Sequence, residues 1–505
     1  MVVVATEYVG PSVMESSGES AALSMSTNER RPVRFHARVE KHVLSLRRAL
    51  RTLGELVWSD FQWLDENEWE RQMELILDPV ITVHPDRVFF EAFNQDQSAY
   101  GLVIADREIF DADGEVCCGT TNIDFTRGLW SSLGEMRSSR ETWFRVGPSG
   151  FGVSTGSEGE HFEQKVELPT EWVRGFLQLQ AAMSLPGTRV IANAVDVASI
   201  IRFVEKNKAY ESPRSLRFEF VPGKEVDVVL EPWEERMTLR GAKHRYREAK
   251  TTRIWGRRRL SLIEPLLSFA TGVEIYLKGR ALPSFWAVQL PGVVFVLGMS
   301  GWTGNNWTQA ASFDLMAHDK VEEEVVDRCV EALKGRFVAS VDELCGETGF
   351  STQQVSRALS EGCRRGLLIY DVRDRKYRHR ELFEEPIDVE EYFPPDPRKE
   401  RSLELLDAGE VRIIGDEIRQ TAGSTAGRDG GVQTFEDRVI HGESEGHEVE
   451  VVLRSDGRII FGRCTCDFFD ENLMNKGPCE HMLAARKYAD ELDETTETEG
   501  GAAVD

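Results

Sequence analysis

The chain has 505 residues with 61 Lys or Arg against 86 Asp or Glu, a formal charge of −25, so long-range attraction to nucleic acid or anionic lipid is disfavoured for the molecule as a whole. Hydrophobic residues make up 41% and charged residues 29%, as in an ordinary globular protein, and the longest apolar runs are too short to span a bilayer. Eight cysteines spread over this length do not make a disulfide framework, the first basic residue is Arg30, and the chain reads as cytoplasmic.

Residues 1–32 mix Ser, Glu, Gly and Met without periodicity and read as a disordered leader. Residues 33–317 read as a large mixed α/β body of one or two domains. RVFFEAF, YGLVIADREIF, SLRFEFVPGKEVDVVL and VEIYLKG are strand-like, several followed by glycine-containing turns. Trp172, Phe176, Leu179 and Met183 recur at helical spacing, as do Val197, Ile200, Ile201 and Val204, and both stripes read as core-facing. Asp111–Glu115 (DADGE) starts like a calcium loop but lacks the later acidic ligands, so a hairpin turn is expected, and the adjacent Cys117 and Cys118 read as inert. Residues 240–259 carry nine Lys or Arg against one Glu, with Tyr246 and Trp255 interleaved. Such a stretch can follow a nucleic-acid backbone, or it can neutralise the acidic remainder of the protein. FVLGMSGWTGNNWTQ, with Gly301, Trp302, Gly304 and Trp307, reads as a structural corner in which Asn305 and Asn306 have no metal-ligand spacing.

Over residues 318–382 the pattern changes to three short helices followed by a hairpin, an order that resembles a winged-helix module. Ser351 is placed to cap the third helix, with Gly349 in the turn before it. Residues 351–380 hold eight basic side chains against three acids. If this unit reads DNA, Gln353, Gln354 and Arg357 face bases from the helix, while Arg373, Arg375, Lys376 and Arg378 on the hairpin meet phosphates. A protein-docking module or a solvated basic face gives the same sequence signal. The acid- and proline-rich segment 383–408 reads as a linker, and TAGSTAGRDGG within the following 409–490 region reads as a loop.

The C-terminal region carries the one sharp motif. FGRCTCDFFDENLMNKGPCEHMLAARKYADEL supplies Cys464, Cys466, Cys479 and His481, three thiolates and an imidazole, which is the ligand set of a closed structural zinc site. In an extended segment residues two apart point the same way, so Cys464 and Cys466 converge. Positions two apart within a helix do not share a face, so the second pair must straddle a turn. Gly477 and Pro478 provide that break, placing Cys479 at the junction and His481 in the first turn of a helix. Upstream, VEVVLRSDGRIIFG reads as a β-hairpin, making the unit ββα. Lys476, Arg486 and Lys487 flank the site as a thin basic patch, offset by Asp467, Asp470, Glu471 and Glu480, so protein contact is at least as well supported as nucleic-acid contact.

These residues resemble the SWIM-type zinc finger, C-x-C followed by C-x-H, over about residues 430–490. The resemblance implies one structural zinc ion, contact with DNA or protein, and no catalysis. By analogy with bacterial proteins carrying such fingers, it also implies an adapter role for ATPases of the helicase or AAA+ type. Residues 491–505 read as a solvated acidic, disordered tail. No phosphate-binding loop, dinucleotide fingerprint, nucleophile elbow or H-E-x-x-H occurs in the sequence, and no small-molecule substrate is evident. The fold class expected is therefore α+β and the chain is read as a binding protein; an enzyme site assembled in space within the 33–317 body is the alternative, with the zinc then purely structural.

Overall fold

The computed structural model describes residues 13–17, 20–24, 33–59, 79–123, 126–147, 150–155, 161–164, 170–185, 187–279, 282–301, 307, 321–383, 396–424, 432–453, 459–474 and 476–500. The protein is mixed α/β, with antiparallel sheets and helices, as the alternation of strand-like and helical text predicts.

The body is built on an eight-stranded antiparallel sheet, with strands in the spatial order 188–192, 272–277, 284–290, 293–299, 99–106, 87–93, 80–83 and 119–122. Strands from both halves of the body share this one sheet, which ties the halves together through the pairing of Val293–Met299 with Ala99–Asp106. Val293–Met299 is buried along its whole length, which explains why its sequence is continuously apolar rather than alternating. A five-stranded sheet (161–164, 150–154, 143–147, 35–39, 110–112) and a four-stranded sheet (235–243, 225–230, 216–220, 250–254) complete the strand layers.

Helix Val43–Val57 lays Leu46, Leu50, Leu53 and Leu56 on the large sheet. Gly101 makes room for it: a β-carbon there would stand 2.7 Å from a Leu53 methyl. The two helical stripes of the sequence lie in helices Thr170–Ser184 and Ala194–Lys206, with Trp172, Phe176, Leu179, Met183, Val197, Ile200 and Ile201 all buried.

Residues 323–379 have a separate small core, centred on Cys329, Leu333, Leu344, Val355, Leu359 and Leu368. Helices Glu323–Arg336, Val341–Thr348 and Thr352–Arg364 surround it, and strands 338–339, 376–379 and 368–371 form its sheet. Ser340 and Ser351 each close a reciprocal capping box, with Glu343 and Gln354 respectively.

The C-terminal unit is a four-stranded antiparallel sheet in sequence order, 411–424, 432–444, 447–453 and 459–464, with helix Glu480–Gly500 packed against it. The expected ββα element is present as the last two strands of this sheet, 447–453 and 459–464, with the helix.

Three expectations change. Within the leader, Val13–Ser17 and Ser20–Ser24 pair as an antiparallel hairpin. Residues 397–407 of the predicted linker form a helix, because Asp396 caps its first turn and Pro397 occupies the N-terminal position where a missing N–H is harmless. Residues 491–500 of the predicted tail continue the preceding helix, in keeping with the good helix propensity of Glu. The remaining leader residues, 302–306 of the aromatic corner, 384–395, the loop at 425–431, the turn at 454–458 and 501–505 lie outside the described residues.

Candidate metal centre

Local structure converges the four ligands from three directions. Cys464 ends strand Ile459–Cys464. Cys466 follows as the N-cap of the short helix Asp467–Asn472, its Sγ accepting the Phe469 N–H at 3.4 Å. Thr465 between them turns outward and bonds His447 and Glu448. Gly477, at φ +82°, and Pro478 then turn the chain, placing Cys479 immediately before helix Glu480–Gly500 and His481 in its first turn. The ligand atoms of all four residues lie within 4.8 Å of one another, and all four side chains are buried, Cys479 completely. This is the only such His, Cys, Asp or Glu group among the described residues.

The electrostatics are those of a metal site. Hydrogen bonding from the Cys479 thiol holds Cys464 down at about 4 and Cys466 at about 6, while the same contacts push Cys479 upward. Burial opposes a charge on His481, but the Cys464 and Cys466 sulfurs outweigh it and raise the imidazole to about 9. At neutral pH the Cys464 and Cys466 thiolates thus face the His481 imidazolium in a buried cluster, and a zinc ion held by these residues would take the place of their protons. Three sulfurs and one nitrogen in a closed, buried tetrad match a structural zinc ion and leave no position for a substrate.

Sequence reasoning did not find the shell around these ligands. His481 Nδ1 faces Cys464 Sγ at 3.8 Å, and Nε2 lies 3.3 Å from Glu445 Oε2. Glu445 in turn accepts from Arg401 at 2.7 Å, and the His447 ring packs at a tilt against His481 with centroids 4.6 Å apart. Glu445 and Gly446 both take left-handed backbone, at φ 52° and 79°, making the tight turn that aims the carboxylate inward. Arg398 donates to the carbonyls of Lys476 and Pro478 and covers the Phe468 ring, clamping the loop before Cys479. Arg398 and Arg401 belong to helix Pro397–Asp407, so the segment expected to be a linker is part of the metal unit. The Glu-Gly turn was a visible signal for Glu445; nothing local announces Arg401, 44 residues upstream of its partner, or Arg398, 78 and 80 residues upstream of its partners.

The nucleic-acid candidates of the three-helix unit are placed differently from expectation. Arg378 is fully buried, its guanidinium shared among Asp371, Asp86 and Asp374 at 2.7 to 3.1 Å. Arg373 reaches Asp106 of the body at 2.9 Å, and Lys376 is held by Glu343 at 2.9 Å. Arg380 is buried against Glu91. Arg373, Lys376, Arg378 and Arg380 are thus spent on carboxylates, three of the body (Asp86, Glu91 and Asp106) and three of the unit itself (Glu343, Asp371 and Asp374), because a guanidinium sealed between two units must be paired there. Arg375 sits in the hairpin turn with φ 53°, and its N–H bonds Asp371. Gln354 accepts from the backbone and hydroxyl of Ser351 as a cap, Gln353 is exposed, and Arg357 is partly buried. Near the metal centre, Arg486 is buried and pairs with Asp490, thinning the basic patch further.

Comparison with known proteins agrees with this geometry only at the C-terminus. No curated protein matches the chain. Among solved structures, proliferating cellular nuclear antigen from Entamoeba histolytica is 13% identical, with 53% of this chain and 98% of that chain covered and a TM-score of 0.37. PCNA from Thermococcus kodakaraensis is 14% identical, covering 52% of this chain and 98% of that one, with a TM-score of 0.36. Residues 448–485 match the SWIM zinc finger family, and their four clustered ligands, Cys464, Cys466, Cys479 and His481, are those of a SWIM-type finger that takes one zinc ion.

Proposed function

We propose that this protein is a cytoplasmic, non-catalytic adapter whose zinc-held C-terminal unit docks a protein partner. The observation that carries the reading is the surface of the finger. Residues 448–485 hold seven Asp or Glu against four Lys or Arg, a poor match for phosphate. The outer strand Val411–Ser424 instead presents Ile414 and Ile418, 66% and 72% exposed, at a sheet edge that no described strand covers. An open edge that carries exposed apolar side chains can take a partner strand. The closed ligand set is that of a site that shapes a surface rather than one that activates water.

In this reading the 323–379 unit is a winged helix used for internal docking, since its hairpin arginines are engaged with Asp86, Asp106 and Glu91 of the body. ATPases of the helicase or AAA+ type are candidate partners in this reading, by analogy with bacterial proteins that carry such fingers.

The test is quantitative co-purification from the source cells, comparing wild type with Ile414→Asp/Ile418→Asp and with Cys479→Ser. A defined protein retained by wild type and lost with both variants supports the adapter. Equal recovery of every protein with the edge-strand variant, itself folded and zinc-loaded, would refute it.

A further inference from the structure

The basic stretch at 240–259 divides in two in the structure. Its second half is internal apart from the exposed Arg258: Arg253 bonds Glu231 at 3.0 Å, Arg257 is buried and donates to the carbonyls of Ser215 and Glu231, and Arg259 is buried beside Ser300. These arginines neutralise and hydrogen-bond the protein's own core. The first half projects. Between strands Glu235–Lys243 and Lys250–Ile254 the chain exposes Lys243, Arg245, Arg247 and Lys250 beside Glu248, and the neighbouring turn adds exposed Lys224 together with Glu225, which lies across from Lys243, so five cations stand against two acids. Lys224, Lys243, Arg247 and Lys250 make no ion pair with a described carboxylate, whereas Arg217, Arg236, Arg240 and Arg253 of the same four-stranded sheet do.

The projection is rigid rather than a loose basic loop. Gly241, at φ +79°, donates its N–H to Glu225, and a register shift beside Glu225 re-aims the strand end. His244 Nε2 donates to the Val221 carbonyl at 2.9 Å, fixing the tip to the turn that carries Lys224. The rings of Phe220, His244 and Tyr246 pack with centroids 5.3 to 5.7 Å apart. Tyr246 is bonded to Thr188, and Lys250 Nζ stands 4.7 Å over its ring.

We infer that this hairpin end is a docking surface for the phosphodiester backbone of duplex DNA, separate from the zinc finger and independent of its adapter role. Cations preset on a braced hairpin lose little entropy on meeting phosphates, and a local positive patch is the only kind of surface through which a chain of charge −25 can hold a polyanion. With four phosphate contacts, the logarithm of the binding constant should fall with the logarithm of salt at a slope of about −4.

The experiment is a salt-titrated mobility-shift or anisotropy assay on the full-length, zinc-loaded protein with an arbitrary duplex. Wild type should bind at about 50 mM salt and lose roughly 200-fold by about 200 mM. Lys243→Gln/Arg247→Gln should reduce the slope by about 2, and adding Lys224→Gln by about 1 more, with unchanged thermal melting because these side chains are exposed. Absence of binding at about 50 mM salt, a slope insensitive to the substitutions, or retention of polyglutamate in preference to DNA would each overturn the assignment.

Discussion

Glu445 offers the sharpest test of the metal unit. Its carboxylate is the acceptor facing His481 Nε2, at 3.3 Å, and its other oxygen is held by Arg401. Replacing it with Ala leaves the N–H of a ring only 4% exposed without that partner and frees the imidazole to rotate. Loss of such an outer partner weakens metal binding by about 10- to 100-fold. The Glu445 side chain is 43% exposed, so water can partly replace it, and the loss should lie near the lower end, about 10-fold. Glu445→Gln keeps an acceptor without the charge and should lose only ~3-fold, since charge roughly doubles the strength of such a bond. Both variants keep a β-carbon at φ 52°, so the backbone strain of the turn cancels in the comparison. Zinc affinity is read by competition with a chromophoric chelator, and the Co2+-loaded absorption spectrum reports whether the tetrahedral geometry survives. An Ala variant within about two-fold of wild type would show that the carboxylate does not orient His481.

Other consequences follow from different contacts. Arg380→Ala strands the Glu91 carboxylate inside the seam between the body and the 323–379 unit and should cost ~3–5 kcal/mol, visible as early melting in denaturant. The Lys376 ammonium, followed by the Ser340 N–H, holds Glu343 at about 2, below its ordinary 4.5. A depressed carboxylate contributes stability that is complete above 4.5 and is lost as the pH falls toward 2, so Glu343→Gln should flatten the pH dependence of stability in that window and leave neutral-pH slopes unchanged. In the finger sheet, a β-carbon at Gly442 would meet the Arg412 carbonyl oxygen at 2.7 Å, and backbone yields poorly. Gly442→Ala should therefore destabilise by ~1–3 kcal/mol and show increased hydrogen exchange along 411–424.

The chemistry of the metal centre was legible in the sequence because zinc ligation is nearly local: Cys464 with Cys466, and Cys479 with His481, are paired by strand and turn geometry that a few adjacent residues determine. Core stripes such as Trp172–Phe176–Leu179–Met183 were legible for the same reason, since helical periodicity is written into consecutive residues. Charge was not. Arg378 and Arg247 carry the same guanidinium and both stood in basic stretches, yet one is sealed among Asp86, Asp371 and Asp374 and the other faces solvent. Whether a cation is spent on an internal carboxylate or left for a partner depends on which distant segments the fold brings beside it, at separations of nearly three hundred residues for Arg378 and Asp86. The same holds for helix Pro397–Asp407, whose acid- and proline-rich surroundings suggested a linker until Glu445 and the loop before Cys479 gave Arg401 and Arg398 something to hold. Local sequence determined the ligands and the periodic elements; long-range packing decided the zinc's outer shell and which basic residues remain available, because the cost of burying an unpaired charge is settled only in the assembled structure.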